Sequence, residues 1–117
     1  MNDGQTIPES VGGRLKNLLD APGTCQLMGV HDGLSARIAV AEGFEVLWAS
    51  GLCMSTARGV RDSDEASWTE LLTLVGTMTE AVPGVPVLVD GDTGYGNFNT
   101  ARRFAARAER VGAAGVC

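Results

Sequence analysis

Apolar residues in this chain fall into two kinds of run that take turns along its length. Val11, Leu15, Leu18 and Leu19 recur at helical spacing and stop at Pro22-Gly23, which predicts one helix and its end. Cys25 to Val30 is short, continuously apolar and bounded by Gly23 and His31-Asp32, the pattern of a buried strand. Leu34, Ile38 and Ala41 return to helical spacing until Gly43, and Phe44 to Ala49 makes a second apolar strand ending at Ser50-Gly51. A polar loop from Ser55 to Glu65 follows, long for a simple connection, and such loops are often functional. Ser67 and Glu70 have capping-box spacing, and Trp68, Leu71, Leu72, Val75 and Met78 mark the buried stripe of the next helix, which Pro83-Gly84 ends. Val85 to Val89 is a third strand. Phe98, Ala101, Phe104, Ala105, Ala108 and Val111 line another helix, Gly112 stops it, and Ala113 to Cys117 begins a fourth strand.

Strand and helix alternate four times, and nearly continuous apolar strands joined by helices imply an α/β fold with a parallel sheet covered by helices. The polar, Gly-rich segments follow the strands. Sites in such folds gather at the carboxyl ends of the strands, so Ser50-Gly51, Asp62 in the long loop, and Asp90 with Asp92 are expected to converge. An eight-unit barrel takes about 250 residues. The expectation is therefore a truncated, N-terminal part of a (β/α)8 TIM-type barrel, with about four parallel strands in one domain over residues 1–117 and a polar leader over 1–8. Half a barrel exposes two sheet edges, which predicts self-association of the polypeptide alone.

Composition narrows the picture. The 117 residues are 44% apolar, ample for a core, and 14 acidic against 9 basic side chains leave a formal net charge of -5. That balance speaks against nucleic acid as a partner; Arg102, Arg103, Arg107 and Arg110 read as the solvated face of one helix. Cys25, Cys53 and Cys117 are odd in number and lack zinc-type spacing, so they read as reduced thiols filling apolar space. The first nine residues show no secretory signal, and no apolar run reaches membrane-spanning length, from which a cytoplasmic protein with no membrane partner is expected.

The chemistry concentrates in Leu88-Val89-Asp90-Gly91-Asp92-Thr93-Gly94-Tyr95-Gly96-Asn97, where an apolar run ends in two carboxylates separated by one small residue. Residues i and i+2 of a strand face the same side, which would set Asp90 and Asp92 roughly 7 Å apart at the strand's end. That geometry suits a hard divalent cation. Gly94 and Gly96 allow a tight turn and Asn97 can begin the next helix. The competing reading is an ordinary Asp-Gly surface turn.

Four segments together resemble the phosphoenolpyruvate mutase family, within the isocitrate lyase superfamily of Mg-dependent (β/α)8 barrels. They are His31-Asp32-Gly33-Leu34-Ser35-Ala36-Arg37; Trp48-Ala49-Ser50-Gly51-Leu52; Gly59-Val60-Arg61-Asp62 with Glu65-Ala66-Ser67-Trp68; and the Asp90 to Asn97 run. The likeness extends from about Leu15 to Cys117. It implies interconversion of phosphoenolpyruvate and phosphonopyruvate, the carbon-phosphorus bond-forming step of phosphonate biosynthesis, by a homo-oligomeric enzyme. It also implies that Asp90 lies next to Mg2+, that Asp92 holds the ion through water, and that Ser50, Gly51 and Leu52 form the substrate-binding turn. Trp48 matches an aromatic lining the site, or serves as barrel core. Asp62 matches the catalytic aspartate beside the migrating phosphoryl group; otherwise it is a solvated loop residue beside Arg61 and Asp64. His31 matches a position that shapes the first loop rather than a base. The family pattern continues with a Glu-Asp-Lys segment, a gating loop, and an Arg and a His that do not occur within these 117 residues, so the chain alone is expected to be inactive. The other readings are a phosphonopyruvate hydrolase, a carbon-carbon lyase of the same superfamily, or a non-catalytic partial barrel.

Overall fold

The computed structural model describes residues 9–117, so the polar leader expected over 1–8 lies outside the described residues. Nine elements follow in chain order: α1 (Val11–Asp20), β1 (Leu27–Val30), α2 (Gly33–Ala41), β2 (Val46–Ala49), α3 (Gly51–Ala57), α4 (Trp68–Ala81), β3 (Val87–Val89), α5 (Phe98–Arg110) and β4 (Gly115–Val116). The strands form one parallel sheet in the order β1-β2-β3-β4, so each crossover steps to the next neighbour in a single direction. That is the winding of a (β/α)8 barrel, here four strands of it.

Each strand is shorter than its apolar run because the approach to the ladder is spent on turns. Pro86 illustrates the limit: it has no N–H, yet its carbonyl accepts the Leu47 N–H at 3.0 Å, so it stands at the ladder's edge rather than inside. Residue alternation then divides the sheet into two faces. Val30, Leu47, Ala49, Val87 and Val89 join Leu71, Leu72, Val75, Met78 and Phe104 in the core under the helices. Fully burying a side chain of this size contributes about 1.5–3 kcal/mol. Register places Gly29, Trp48, Leu88 and Gly115 in one row on the opposite face. Glycines flank the two large side chains there. A methyl on Gly115 would lie 3.2 Å from Leu88 Cδ1.

Two sequence expectations need correction. On α2 the expected stripe faces outward, with Leu34 69% and Ile38 56% exposed, while Ala36 and Ala39 are buried. The reason is close packing: a methyl on Gly33 would lie 2.9 Å from the Thr77 carbonyl of α4, so only small side chains fit between these helices. In the stretch taken as turn and loop, Gly51 to Ala57 is helix α3. Ser50 caps it, its side chain accepting the Cys53 N–H at 3.2 Å, and a serine followed by seven residues without proline was the available signal. The long α4 matches its expected stripe and capping box: Ser67 accepts the Glu70 N–H at 3.3 Å and Glu70 accepts the Ser67 N–H at 2.7 Å. Among the described residues, no helix is long and apolar enough to cross a membrane.

Candidate active site

β2 and β3 run side by side and deliver their carboxyl ends to one corner. There the Asp90 N–H donates to the Ala49 carbonyl at 3.1 Å, continuing the ladder by one bond. The Asp90 carboxylate turns towards β2: Oδ2 accepts the Gly51 N–H at 2.9 Å, while Oδ1 accepts the Asp92 N–H at 2.9 Å. Both oxygens are thus oriented by backbone donors, one from each strand end. Gly51 must be glycine for this approach. A methyl there would lie 2.8 Å from Asp90 Oδ2 and 3.5 Å from Asp62 Oδ1, so the two carboxylates meet over its bare Cα.

The strand argument for Asp90 and Asp92 does not hold as stated, because β3 ends at Val89 and Asp92 lies in the turn beyond it with φ 49. Convergence comes from the turn instead. The neighbouring Asp64 side chain, then burial, then the charges of Asp64, Asp90 and Asp62 push the Asp92 carboxyl above the usual aspartate range. Four carboxylates therefore share this corner, two from the α3–α4 loop and two from the β3–α5 loop. Asp64 has φ 60, the left-handed region, and was noticed in the sequence only as a neighbour of Asp62. Tyr95, also at φ 60, borders the group; burial, followed by the charges of Asp92, Asp90, Asp64 and Asp62, pushes its phenol up to about 12. Spacing in the sequence offered no sign of either approach, since both depend on loops separated by a whole helix.

The other expected residues occupy separate places around the strand ends. Ser50 is buried at the end of β2 and its hydroxyl proton is left over from the cap it accepts. Leu52 is exposed in the first turn of α3, where N–H groups have no intrahelical partner. Trp48 lies one layer below, half-buried on the open face of the sheet. Asn97 caps α5, accepting N–H bonds from Asn99 at 2.9 Å and Thr100 at 3.2 Å. His31 sits at the end of β1 with Nε2 3.6 Å from Asp32 Oδ2. A cleft of about 460 Å³ lined by Leu18, Cys25 and Phe44 opens beside the amino ends of β1 and β2, away from the carboxylates.

Charge decides what this corner can hold. Among the described residues the ion pairs lie elsewhere: Arg58 with Glu70, Arg61 with Glu65, Lys16 with Asp20 and His31 with Asp32. Four carboxylates with no basic partner leave a concentrated negative charge for a cation to offset. Among the described residues no three His, Cys, Asp or Glu side chains are arranged so that together they could hold a metal ion. A soft, protein-only zinc cage is therefore a poor match, whereas Mg2+ takes one or two carboxylates and keeps its waters. The donor set fits magnesium.

Fold and site together define a (β/α)8-type chain with an acidic corner at the carboxyl ends of its second and third strands. Residues 15–117 match the family described as phosphoenolpyruvate phosphomutase, and the chain belongs to that family. It is 87% identical over 116 residues to a phosphoenolpyruvate phosphomutase of Streptomyces hygroscopicus, covering 99% of this chain and 37% of that protein. The crystal structure of a phosphoenolpyruvate phosphomutase from Streptomyces platensis subsp. rosaceus superposes with a TM-score of 0.85 at 46% identity, covering 90% of this chain and 36% of that one. A phosphonopyruvate hydrolase in complex with oxalate and Mg++ gives a TM-score of 0.86 at 27% identity, covering 92% and 38% of the two chains. The chain thus spans a little over a third of the length of the relatives it matches.

Proposed function

We propose that this chain supplies the metal and pyruvyl-binding half of a phosphoenolpyruvate mutase. The observation that carries the reading is the meeting of Asp90 and Asp62 over Gly51, which joins the metal-binding run and the mutase-like loop at one point. Overall shape does not separate mutase from hydrolase, because the two superpositions are equally good; sequence identity favours the mutase.

In this reading Asp90 and Asp92 are the residues that would hold Mg2+. When bound, the ion would supply positive charge to offset the negative charge that develops on the pyruvyl group. Ser50 donates its free hydroxyl proton to the pyruvyl group, and Leu52 offers the unpaired N–H of its helical turn. Gly51 belongs to the same turn, and its N–H, donated to Asp90 Oδ2, orients that carboxylate beside the pyruvyl group. In the reaction the bond between enol oxygen and phosphorus breaks with its electron pair left on oxygen, and the methylene carbon bonds to the same phosphorus. Asp62 faces the travelling phosphoryl group and steers it, since loose phosphoryl transfer depends on positioning and electrostatics. Trp48 forms the floor below the pyruvyl site. The substrate is a small molecule, the cofactor is Mg2+, the compartment is the cytoplasm and the whole enzyme is a homo-oligomer.

The test is conversion of phosphonopyruvate to phosphoenolpyruvate followed by 31P NMR with Mg2+. A polypeptide of the relatives' length that contains this segment is expected to convert it, its Asp62→Asn variant to lose nearly all turnover, and the 117-residue chain alone to stay at the level of metal without protein. Release of inorganic phosphate in place of phosphoenolpyruvate would instead establish the hydrolase.

A further inference from the structure

Two loops of like charge face each other at the corner, and the ion pairs among the described residues do not join them. Phe104 of α5 is 1% exposed and stands between them. On one side its ring meets Trp68 edge-on, with centroids 6.1 Å apart and planes at 87°. Trp68 is the first residue of α4, where the loop carrying Asp62 and Asp64 ends. On the other side Phe104 meets Tyr95, with centroids 4.9 Å apart and planes at 50°. Tyr95 lies three residues past Asp92 in the opposing loop.

The backbone around Tyr95 is shaped for this contact. A bulky residue at φ 60 is rare and persists only where its surroundings determine it. Gly94 and Gly96 on either side, at φ 88 and 134, make the reversal that turns the ring inward. The loop also lies directly on α5: a methyl on Gly94 would be 3.0 Å from Ala101 Cβ, and one on Gly91 would be 3.5 Å from Phe104 Cε1. Arg107 covers the outer end, its guanidinium carbon 6.0 Å from the Trp68 ring centre.

We infer that Trp68, Phe104 and Tyr95 form an aromatic brace that fixes the spacing of the two carboxylate loops, with Tyr95 as a positioning residue for the metal corner. The brace acts through Asp92 and Asp64 and touches neither metal nor substrate. Its consequence for metal affinity rests on the magnesium reading above; its consequence for loop spacing does not.

The experiment uses the chain itself with Mn2+ as the probe, read by EPR, alongside limited trypsin digestion without metal. Removing groups that orient metal ligands typically lowers affinity about 10- to 100-fold. Tyr95→Ala is expected to weaken Mn2+ binding about tenfold, Trp68→Leu at the far end to do the same, and Tyr95→Phe to stay near wild type. Trypsin is expected to cut after Arg58 and Arg61, on the opposite loop, several-fold faster in Tyr95→Ala, while Arg37 inside α2 stays protected and reports an intact fold. Wild-type behaviour of Tyr95→Ala in both measurements overturns the brace, as does a Tyr95→Phe chain as impaired as Tyr95→Ala, which would assign the effect to the hydroxyl. If Tyr95→Ala does not fold, Trp68→Leu decides by the same two readouts. Unchanged Mn2+ binding in Asp90→Asn sinks the metal reading instead, and cleavage at Arg58 and Arg61 then judges the brace alone.

Discussion

The two ends of the sheet handle left-handed backbone in opposite ways. At the amino ends, where helices turn back into strands, the positive-φ positions are Gly23, Gly43, Gly84 and Gly112, with φ between 79 and 99. At the carboxyl ends the same region is also occupied by Asp64, Asp92 and Tyr95, the three non-glycine residues with positive φ among those described. Glycine takes this conformation without a Cβ clash, whereas a side chain there costs roughly 1–2 kcal/mol. One end is therefore built from unstrained turns, and the other keeps side chains in a strained region at the corner where the carboxylates converge. This asymmetry is the one expected of a barrel whose site lies at the carboxyl end of its strands.

The largest effect expected from breaking that contrast is at Gly51. Gly51→Ala would push a methyl into Asp90 Oδ2 and is expected to lower Mn2+ affinity about 100-fold, measured by EPR titration. Retained affinity would show that the corner does not depend on this close approach. Next comes the backbone itself. Gly84→Ala, at φ 79 with open space around it, is expected to destabilise the chain by about 1–2 kcal/mol in urea unfolding and leave Mn2+ binding unchanged. Asp64→Gly should do the reverse, raising stability by up to about 1 kcal/mol while weakening Mn2+ binding.

Smaller effects follow from charge. Because the folded state raises the Asp92 carboxyl, the stability tied to its proton is present below the usual aspartate range and is lost as pH rises through the raised value. Asp92→Asn is accordingly expected to raise the thermal midpoint at pH 7 without metal by about 2–4 °C, with the gain shrinking near pH 4. Asp32 gives the opposite sign. Its carboxyl is held low, chiefly by the Ser35 N–H, so its contribution is present above the usual range and fades as pH falls. Tyr95 extends the contrast to high pH: stability is expected to decline between pH 10 and about 12 as the phenol ionises, a decline that Tyr95→Phe should lack in a denaturation series.

Much of the architecture was legible because periodicity is a local property. The stripe of α4 from Leu71 to Met78 and the caps at Ser67 and Asn97 lie where side-chain spacing put them. The outward Leu34 and Ile38 were not legible, since the choice of buried face depended on how near α4 could come to Gly33. Phe98 repeats the lesson at the start of α5: it is 77% exposed although it continues the stripe that buries Phe104 and Ala108.

The amino-acid order alone singled out Asp62, Asp90, Asp92 and the Ser50-Gly51 turn as candidates, Asp62 in a long polar loop and the others just past apolar runs read as strands covered by helices. Tertiary structure decided how they meet. It replaced the strand pairing of Asp90 and Asp92 with a left-handed turn, brought Asp64 across to Asp92 and set Tyr95 on Phe104. Such contacts join loops separated by a helix, so their geometry depends on how helix and sheet pack and not on the spacing of residues along the chain.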